Sequence, residues 1–422
     1  MIPQRALACS FIGGNAFAAR LFDGGYNYEP DDCGLRRVGS GDSASRCPET
    51  GTTMVRLHLF DKQGNSLQIS AELLRSSDHS VHHLGKEMEA SVATQRNDVT
   101  RDDLESLIAT VRHRVHRPID GIFGADSLSW KIHRESALFL GAGRASLLQL
   151  AHPWVAAAID QHSSVLDKPI ARFHNTFRIV FALIFGSTDQ SIRASRFLHE
   201  LHTRIRGEIP VAVAGYAAGS AYEANHIPAL RWVFATLIES AVIAYECVLP
   251  PLSETERSHY YAETKTLAQL FGIPVHALPH DWRDFKAYIA AMCQSQELGV
   301  NDRARILALR VIAGAGSWIS VPRWYRSLTA TWLPPRFVEE FGLNYGPVEQ
   351  SQAARAKLWL PLIYRTLPSA VRFVGPYHEA QARLASRRPG YLAKQSNRFW
   401  TGSETLPFGE SQDGRRQRRS SL

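Results

Sequence analysis

Between residues 101 and 385 apolar side chains recur every three or four positions, as in helices that each bury one face, and β-branched runs are scarce. Pro or Gly stands between most of these stretches. The spacing predicts helices over 102–115, 129–139, 144–159, 169–185, 190–206, 228–248, 254–271, 282–296, 302–314, 334–341, 353–364 and 376–386. Thr100-Arg101-Asp102-Asp103 has the form of a helix start, a capping oxygen followed by acids. The first 95 residues differ: Gly, Ser, Asp and His are mixed without period, and one alternating stretch, 54–69, reads as a hairpin. The expected organisation is a poorly ordered extension over 1–95, an all-helical domain over 100–388 and a disordered basic tail over 389–422. Many helices without a run of strands make the class all-α, an orthogonal multi-helix bundle around one core.

Composition narrows the field. With 422 residues, 45% of them hydrophobic and 21% charged, the chain can bury a large core, which excludes wholesale disorder. The net charge of +8 includes Arg415, Arg416, Arg418 and Arg419 at the end, and the basic residues show no regular aromatic interleaving, so nucleic acid is not an expected partner. The most apolar window, 229–249, is interrupted by Arg231, Glu239 and Glu246, so no transmembrane segment is expected. Five cysteines without CxxC spacing argue against a disulfide framework, a cysteine zinc site and covalent haem attachment. A reducing, cytoplasmic location is the simplest expectation; the apolar run 6–12 imitates a signal peptide, but Gly13-Gly14-Asn15 interrupts it. Walker and GxSxG motifs are missing from the sequence, and His199-Glu200-Leu201-His202 is one residue short of a zinc-protease HExxH.

Three groups of residues could carry chemistry. In the helix over 190–206, His202 flanks an apolar arc of Ala194, Leu198, Leu201 and Ile205, while His199 turns to the polar side. There His202 reads either as a metal ligand or as a satisfied core histidine. In the helix over 169–185, Arg172 and Thr176 lie one turn apart on the border of an arc of Phe173, Phe177, Val180, Phe181 and Ile184. They could address an anion or a bound oxygen species, or be a surface Arg beside a Thr bonded to its own backbone. Pro153 should kink the helix over 144–159 next to His152, and His162 follows ten residues on. A separate metal reading uses Glu223, His226, Glu256 and His259, two Glu-x-x-His pairs of the di-iron type, set against a chance match.

Taken in order, several blocks resemble the family of the rubber oxygenase (latex-clearing protein) and mpaB oxygenase catalytic domain, over roughly 118–384. They are Trp130-Lys131-Ile132-His133-Arg134-Glu135, Gly141-Ala142-Gly143-Arg144, Ala151-His152-Pro153, His162-Ser163, Arg172-Phe173-His174-Asn175-Thr176, Phe185-Gly186, Leu201-His202-Thr203-Arg204-Ile205-Arg206-Gly207, Trp232-Val233-Phe234-Ala235-Thr236 and Tyr260-Tyr261. The resemblance implies a globin-like helical fold, a non-covalent b-type haem and dioxygen-dependent chemistry on an apolar, alkene-type small molecule. It implies His202 as the iron ligand, with Arg172 and Thr176 on the distal side and Glu135 or His162 moving protons. Phe173, Phe177, Phe181, Phe185 and Trp154 would cover the porphyrin. Arg144, Arg178 and Arg206 would be propionate partners, and His152 a further cofactor-binding candidate. Asn175 stands where the rubber oxygenases carry a lysine, and Phe234 where many bacterial members carry a histidine. The alternatives are a haem carrier or sensor without turnover and a di-iron carboxylate protein.

Overall fold

The computed structural model describes residues 97–162, 169–314 and 321–409, together with strand segments among the first 95 residues. The chain forms two units, Met1–Gln95 and Arg96–Leu422. In the first, Thr53–Phe60 and Ser66–Leu73 pair antiparallel, Thr53 opposite Leu73, which is the hairpin that the alternation predicts; Ser43–Arg46 adds a third strand. Cys9–Phe11 pairs with Phe17–Ala19 and Tyr28–Asp31 with Gly34–Arg37. The expectation of poor order over the rest of 1–95, and over 410–422, lies outside the described residues.

The second unit is helical: α1 (Arg101–His113), α2 (Leu128–His133), α3 (Ala142–Leu150), α4 (Pro153–His162), α5 (Pro169–Phe185), α6 (Thr188–Thr203), α7 (Ile227–Val248), α8 (Glu254–Leu270), α9 (Trp282–Gln294), α10 (Asp302–Ala313), α11 (Arg323–Trp332), α12 (Pro335–Glu340), α13 (Pro347–Thr366), α14 (Ser369–Arg372), α15 (Gly375–Leu384) and α16 (Tyr391–Thr401). The class is all-α, as expected. Helix starts follow the capping rules: Thr100 and Asp103, Ser187 and Gln190, and Ser253 and Glu256 each form a reciprocal capping box. Pro153 does more than kink its helix; it ends α3 and begins α4, because its ring removes a donor and suits a first helical position. The span 129–139 likewise becomes α2 and a 3₁₀ turn, Ser136–Gly141.

The basic tail expected from residue 389 needs correction. Residues Tyr391–Thr401 form α16, whose Trp400 is buried and whose ring lies 6.0, 5.5 and 6.0 Å from Phe173, Phe177 and Phe181. One aromatic side chain buries enough apolar area to dock a short helix despite polar neighbours.

Helix α7 is the axis of the core, buried through Leu230, Trp232, Phe234, Ile238, Val242 and Tyr245. It is long and apolar enough to cross a membrane by length and composition, yet 67% of that window is packed inside this unit. The 3₁₀ turn approaches so closely that a Cβ at Gly141 would stand 2.5 Å from the carbonyl oxygen of Ser240. Mid-helix, Glu239 is buried and paired with Arg144 of α3 and Lys286 of α9. Arg144 also donates to Ser240 Oγ and to the Trp332 carbonyl, both at 2.9 Å. Arg144 burial therefore belongs to a satisfied ionic cluster that ties three segments to α7.

Glu135 is a second buried anchor. Arg372 grips it bidentately, Nε to Oε2 at 2.7 Å and Nη2 to Oε1 at 3.0 Å, and the Tyr364 hydroxyl donates to Oε2 at 2.9 Å. The contact joins the 3₁₀ turn to α13 and α14, more than two hundred residues on.

Two outcomes test this core. Glu239→Leu strands the Arg144 cation and should cost ~3–5 kcal/mol in denaturant unfolding; a loss below ~1 kcal/mol would mean the cluster stabilises little. His133, buried against the Tyr260 hydroxyl at 2.9 Å, has its pKa pushed by burial from 6.5 down to about 4. The unfolded ring takes a proton near pH 6.5 and the folded one only near 4. This contribution is therefore whole above about pH 6.5 and is lost as pH falls towards 4, ~3 kcal/mol at ~1.4 kcal/mol per unit. His133→Phe should make the pH dependence of unfolding shallower over that window, which His152, His202 and His226 share; an unchanged slope would place the linkage on those rings.

Candidate functional site

The last turn of α6, the residues just before α1 and the hairpin Arg206–Glu208/Ala221–Glu223 line an open cavity of about 370 Å³. That volume falls in the ~300–1,000 Å³ range of small-molecule and cofactor sites. His202 lines it, together with His199, Asn225, Arg101, Arg204 and Arg206. Antiparallel pairing of Arg206 with Glu223 holds the hairpin closed, and the Ala224 amide donates to the Ile205 carbonyl at 3.0 Å, so Asn225 is carried to the end of α6. Its amide nitrogen donates to the His199 carbonyl at 3.2 Å and to Thr203 Oγ1 at 3.0 Å.

The His202 side chain is half-buried, and its pKa is pushed from 6.5 down to about 4, first by burial and then by the charges of His199 and Arg172, while a hydrogen bond with Asn225 opposes the shift. The imidazole is thus neutral near pH 7 and keeps one ring nitrogen with a free electron pair, the state in which histidine ligates metals. Arg172 reaches it from α5, and burial lowers the guanidinium's own pKa. His199 lies on the Arg196 and Thr203 side of α6, as its helical position suggested, and its Nε2 donates to the Val99 carbonyl at 2.9 Å, which pins α6 to the start of α1.

Of the residues singled out from the sequence, His202 and Arg206 line this cavity; Arg172 acts on His202 through its charge, and His162 is bonded to the Arg206 backbone. His162, at the end of α4, donates from Nε2 to the Arg206 carbonyl at 3.1 Å and meets Tyr222 edge-on at 6.3 Å. The others lie elsewhere. Thr176 is exposed, one turn along α5. Arg178 donates to the Thr401 carbonyl at 2.6 Å, docking α16, and Arg144 and Glu135 belong to the buried clusters described above. His152 is buried beside Trp154 and Tyr216, its Nδ1 accepting from the Trp154 amide at 3.2 Å. Sequence reasoning overlooked Arg101, Arg204 and Asn225; Asn225 sits in a Gly/Ala-rich connection that offered no periodicity to read.

The aromatic wall expected over the porphyrin lies at another place. Phe177 and Phe181 join Phe139, Phe234, Phe271 and Trp400 around a second, apolar cavity of about 120 Å³. Trp154 packs against His226, with ring centroids 4.4 Å apart.

The four di-iron candidates do not converge. Glu256 is spent on its capping box and on Lys131 at 2.8 Å, His259 is exposed beside Glu263, and Glu223 and His226 lie on the hairpin and at the foot of α7. Among the described residues only His280, Asp281 and Asp284 lie close enough together to share an ion, on the surface. The di-iron alternative therefore lacks its ligand set.

The family model described as "ER-bound oxygenase mpaB/B'/Rubber oxygenase, catalytic domain" matches residues 130–373, more than half of the chain. No curated protein and no solved structure matches it. The matched span runs from α2 to the end of α14 and contains the His202 imidazole, the Arg172 helix and the hairpin, so the chain belongs to the mpaB/rubber oxygenase catalytic-domain family.

Proposed function

We propose that this oxygenase-family chain holds a b-type haem through His202 and uses dioxygen to oxidise an apolar, alkene-type small molecule in the cytoplasm. The observation that carries the reading is the neutral, half-buried imidazole of His202, which lines an open cavity together with several arginines. The residues present would suit the group in its polar contacts: one uncharged nitrogen for iron, and Arg101, Arg204 and Arg206 as partners for two propionate carboxylates, with Asp98, Glu200 and Glu223 in the same lining. When bound, such a haem supplies a redox-active iron for work on dioxygen.

The residues of the chain supply the rest. Asn225 fixes the orientation of the His202 ring, and the capping box at Ser187 and the Val99–His199 bond hold the helix that carries it. The half-buried Arg172 cation disfavours protonation of His202 and would stabilise negative charge developing near it. His162, hydrogen-bonded beside Arg206, is placed to relay protons from solvent. Glu135 lines the apolar cavity, but its clamp on Arg372 and Tyr364 makes it a positioning residue for the 3₁₀ turn. The apolar cavity supports the substrate class: Phe177, Phe181, Phe234 and Trp400 would bury hydrocarbon at roughly 25 cal/mol per Å².

A pyridine haemochrome assay on the purified protein, loaded with haemin if necessary, should report haem b with a Soret band that shifts on reduction. His202→Ala should abolish stoichiometric loading, and a colourless protein that refuses haemin would reject the reading. Asn225→Leu should weaken haemin affinity ~10–100-fold while leaving the fold intact by circular dichroism; an unchanged affinity would remove Asn225 from the site.

A further inference from the structure

The charge of the chain is concentrated in one region. Between Ser351 and Trp400 stand nine Lys and Arg against one acid, Glu379, a surplus equal to the +8 of all 422 residues. This stretch comprises most of α13 and all of α14, α15 and α16. Some of the surplus is spent internally: Arg372 on Glu135, and Lys394 and Arg398 on Glu404. Arg355, Lys357, Arg365, Arg387 and Arg388 are exposed and form no ion pair among the described residues.

The same elements carry the most exposed large apolar side chains of the helical unit. Leu358, Leu362, Val371, Tyr391 and Leu392 are between 61% and 74% exposed, and Ile363 adds to them. On α13, Leu358 and Leu362 lie one turn apart on the face opposite Ala353, Ala356, Leu360 and Tyr364, which are buried. Arg355 and Arg365 bracket the two leucines in sequence, Arg365 donating from Nε to the Val248 carbonyl at 3.3 Å while its side chain stays exposed. Val371 follows after Pro368, and α14 contacts α16, whose first turn presents Tyr391 and Leu392.

Exposed leucines surrounded by unpaired cations have a specific physical use. The apolar side chains gain by leaving water, and the long basic side chains can keep their charge at an interface while their stems follow the apolar surface. An anionic lipid surface satisfies both requirements at once, because it offers negative headgroups above a hydrocarbon layer. A nucleic acid would use the cations but give the leucines nothing to bury against. We propose that α13, α14 and the first turn of α16 form a peripheral docking face for an anionic phospholipid membrane. The proposal rests on this surface alone and is independent of the haem reading, although an enzyme for an apolar substrate would meet that substrate in the same bilayer.

The full chain should co-sediment with phosphatidylcholine vesicles that contain phosphatidylserine, only weakly with phosphatidylcholine alone, and less as salt rises. The double variant Leu358→Asp with Leu362→Asp, on an exposed face and checked for an unchanged melt, should lower the partition coefficient about tenfold or more. Arg387→Gln with Arg388→Gln should weaken binding to anionic vesicles and reduce the salt dependence. Replacing Arg415, Arg416, Arg418 and Arg419 by Gln should leave most of the binding intact. The proposal is overturned if the parent ignores anionic vesicles, if the leucine pair is irrelevant while the terminal arginines are essential, or if binding to single-stranded DNA exceeds binding to vesicles. It is equally overturned if sedimentation velocity finds a dimer that Leu358→Asp dissociates, which would make a second copy the occupant. Haemin content, read on the same samples, separates loss of docking from loss of the cofactor.

Discussion

A half-buried imidazole with a guanidinium's charge near it favours one state, the neutral one, and the candidate site is organised around that constraint. Protonating His202 would cost desolvation and add a positive charge to those of His199 and Arg172, so the ring keeps an electron pair near pH 7. Such a group is costly to leave idle in a cavity and well suited to a metal. The elements that create it are distant in sequence: α6 carries the ring, α5 the arginine, and the hairpin after α6 the amide that orients the ring.

The core that supports these elements relies on burying charge with full compensation. Glu239 interrupts an otherwise apolar helix, and in the sequence it argued only against a membrane span. In the folded chain it is the acceptor that lets Arg144 and Lys286 bring α3 and α9 to α7. Glu135 does the same between the 3₁₀ turn and α14. Such clusters fix which segments meet, since a partner out of place would leave an unpaired buried charge.

How much was legible in the sequence follows from the range of each signal. Helical spacing is local, so α5, α7 and α8 fall within a residue or two of their expected ends, and the Thr100 and Ser253 starts needed only the neighbouring acids. Pro153 was legible as a disturbance, although how far it would break the helix depended on tertiary packing. Helix α16 was hidden because its composition is polar and only Trp400, docking on distant phenylalanines, makes it part of the fold. At the site, His202 and Arg172 were found from helix faces and from the family resemblance, and they are neighbours in space. Arg144, Arg178 and Glu135 share blocks with them in sequence but point to other partners, which no local pattern could reveal. The hairpin's Asn225 was missed because its contribution comes through loop geometry.

The ring at position 202 would itself be the nitrogen donor to iron, and exchanging it for free imidazole puts that role to the sharpest test. A His202→Gly chain titrated with haemin should bind poorly, recover loading when imidazole is added, and then return the absorption spectrum of the parent. If the glycine chain binds haemin with the parent's affinity and spectrum before any imidazole is supplied, the donor is another residue and the account fails.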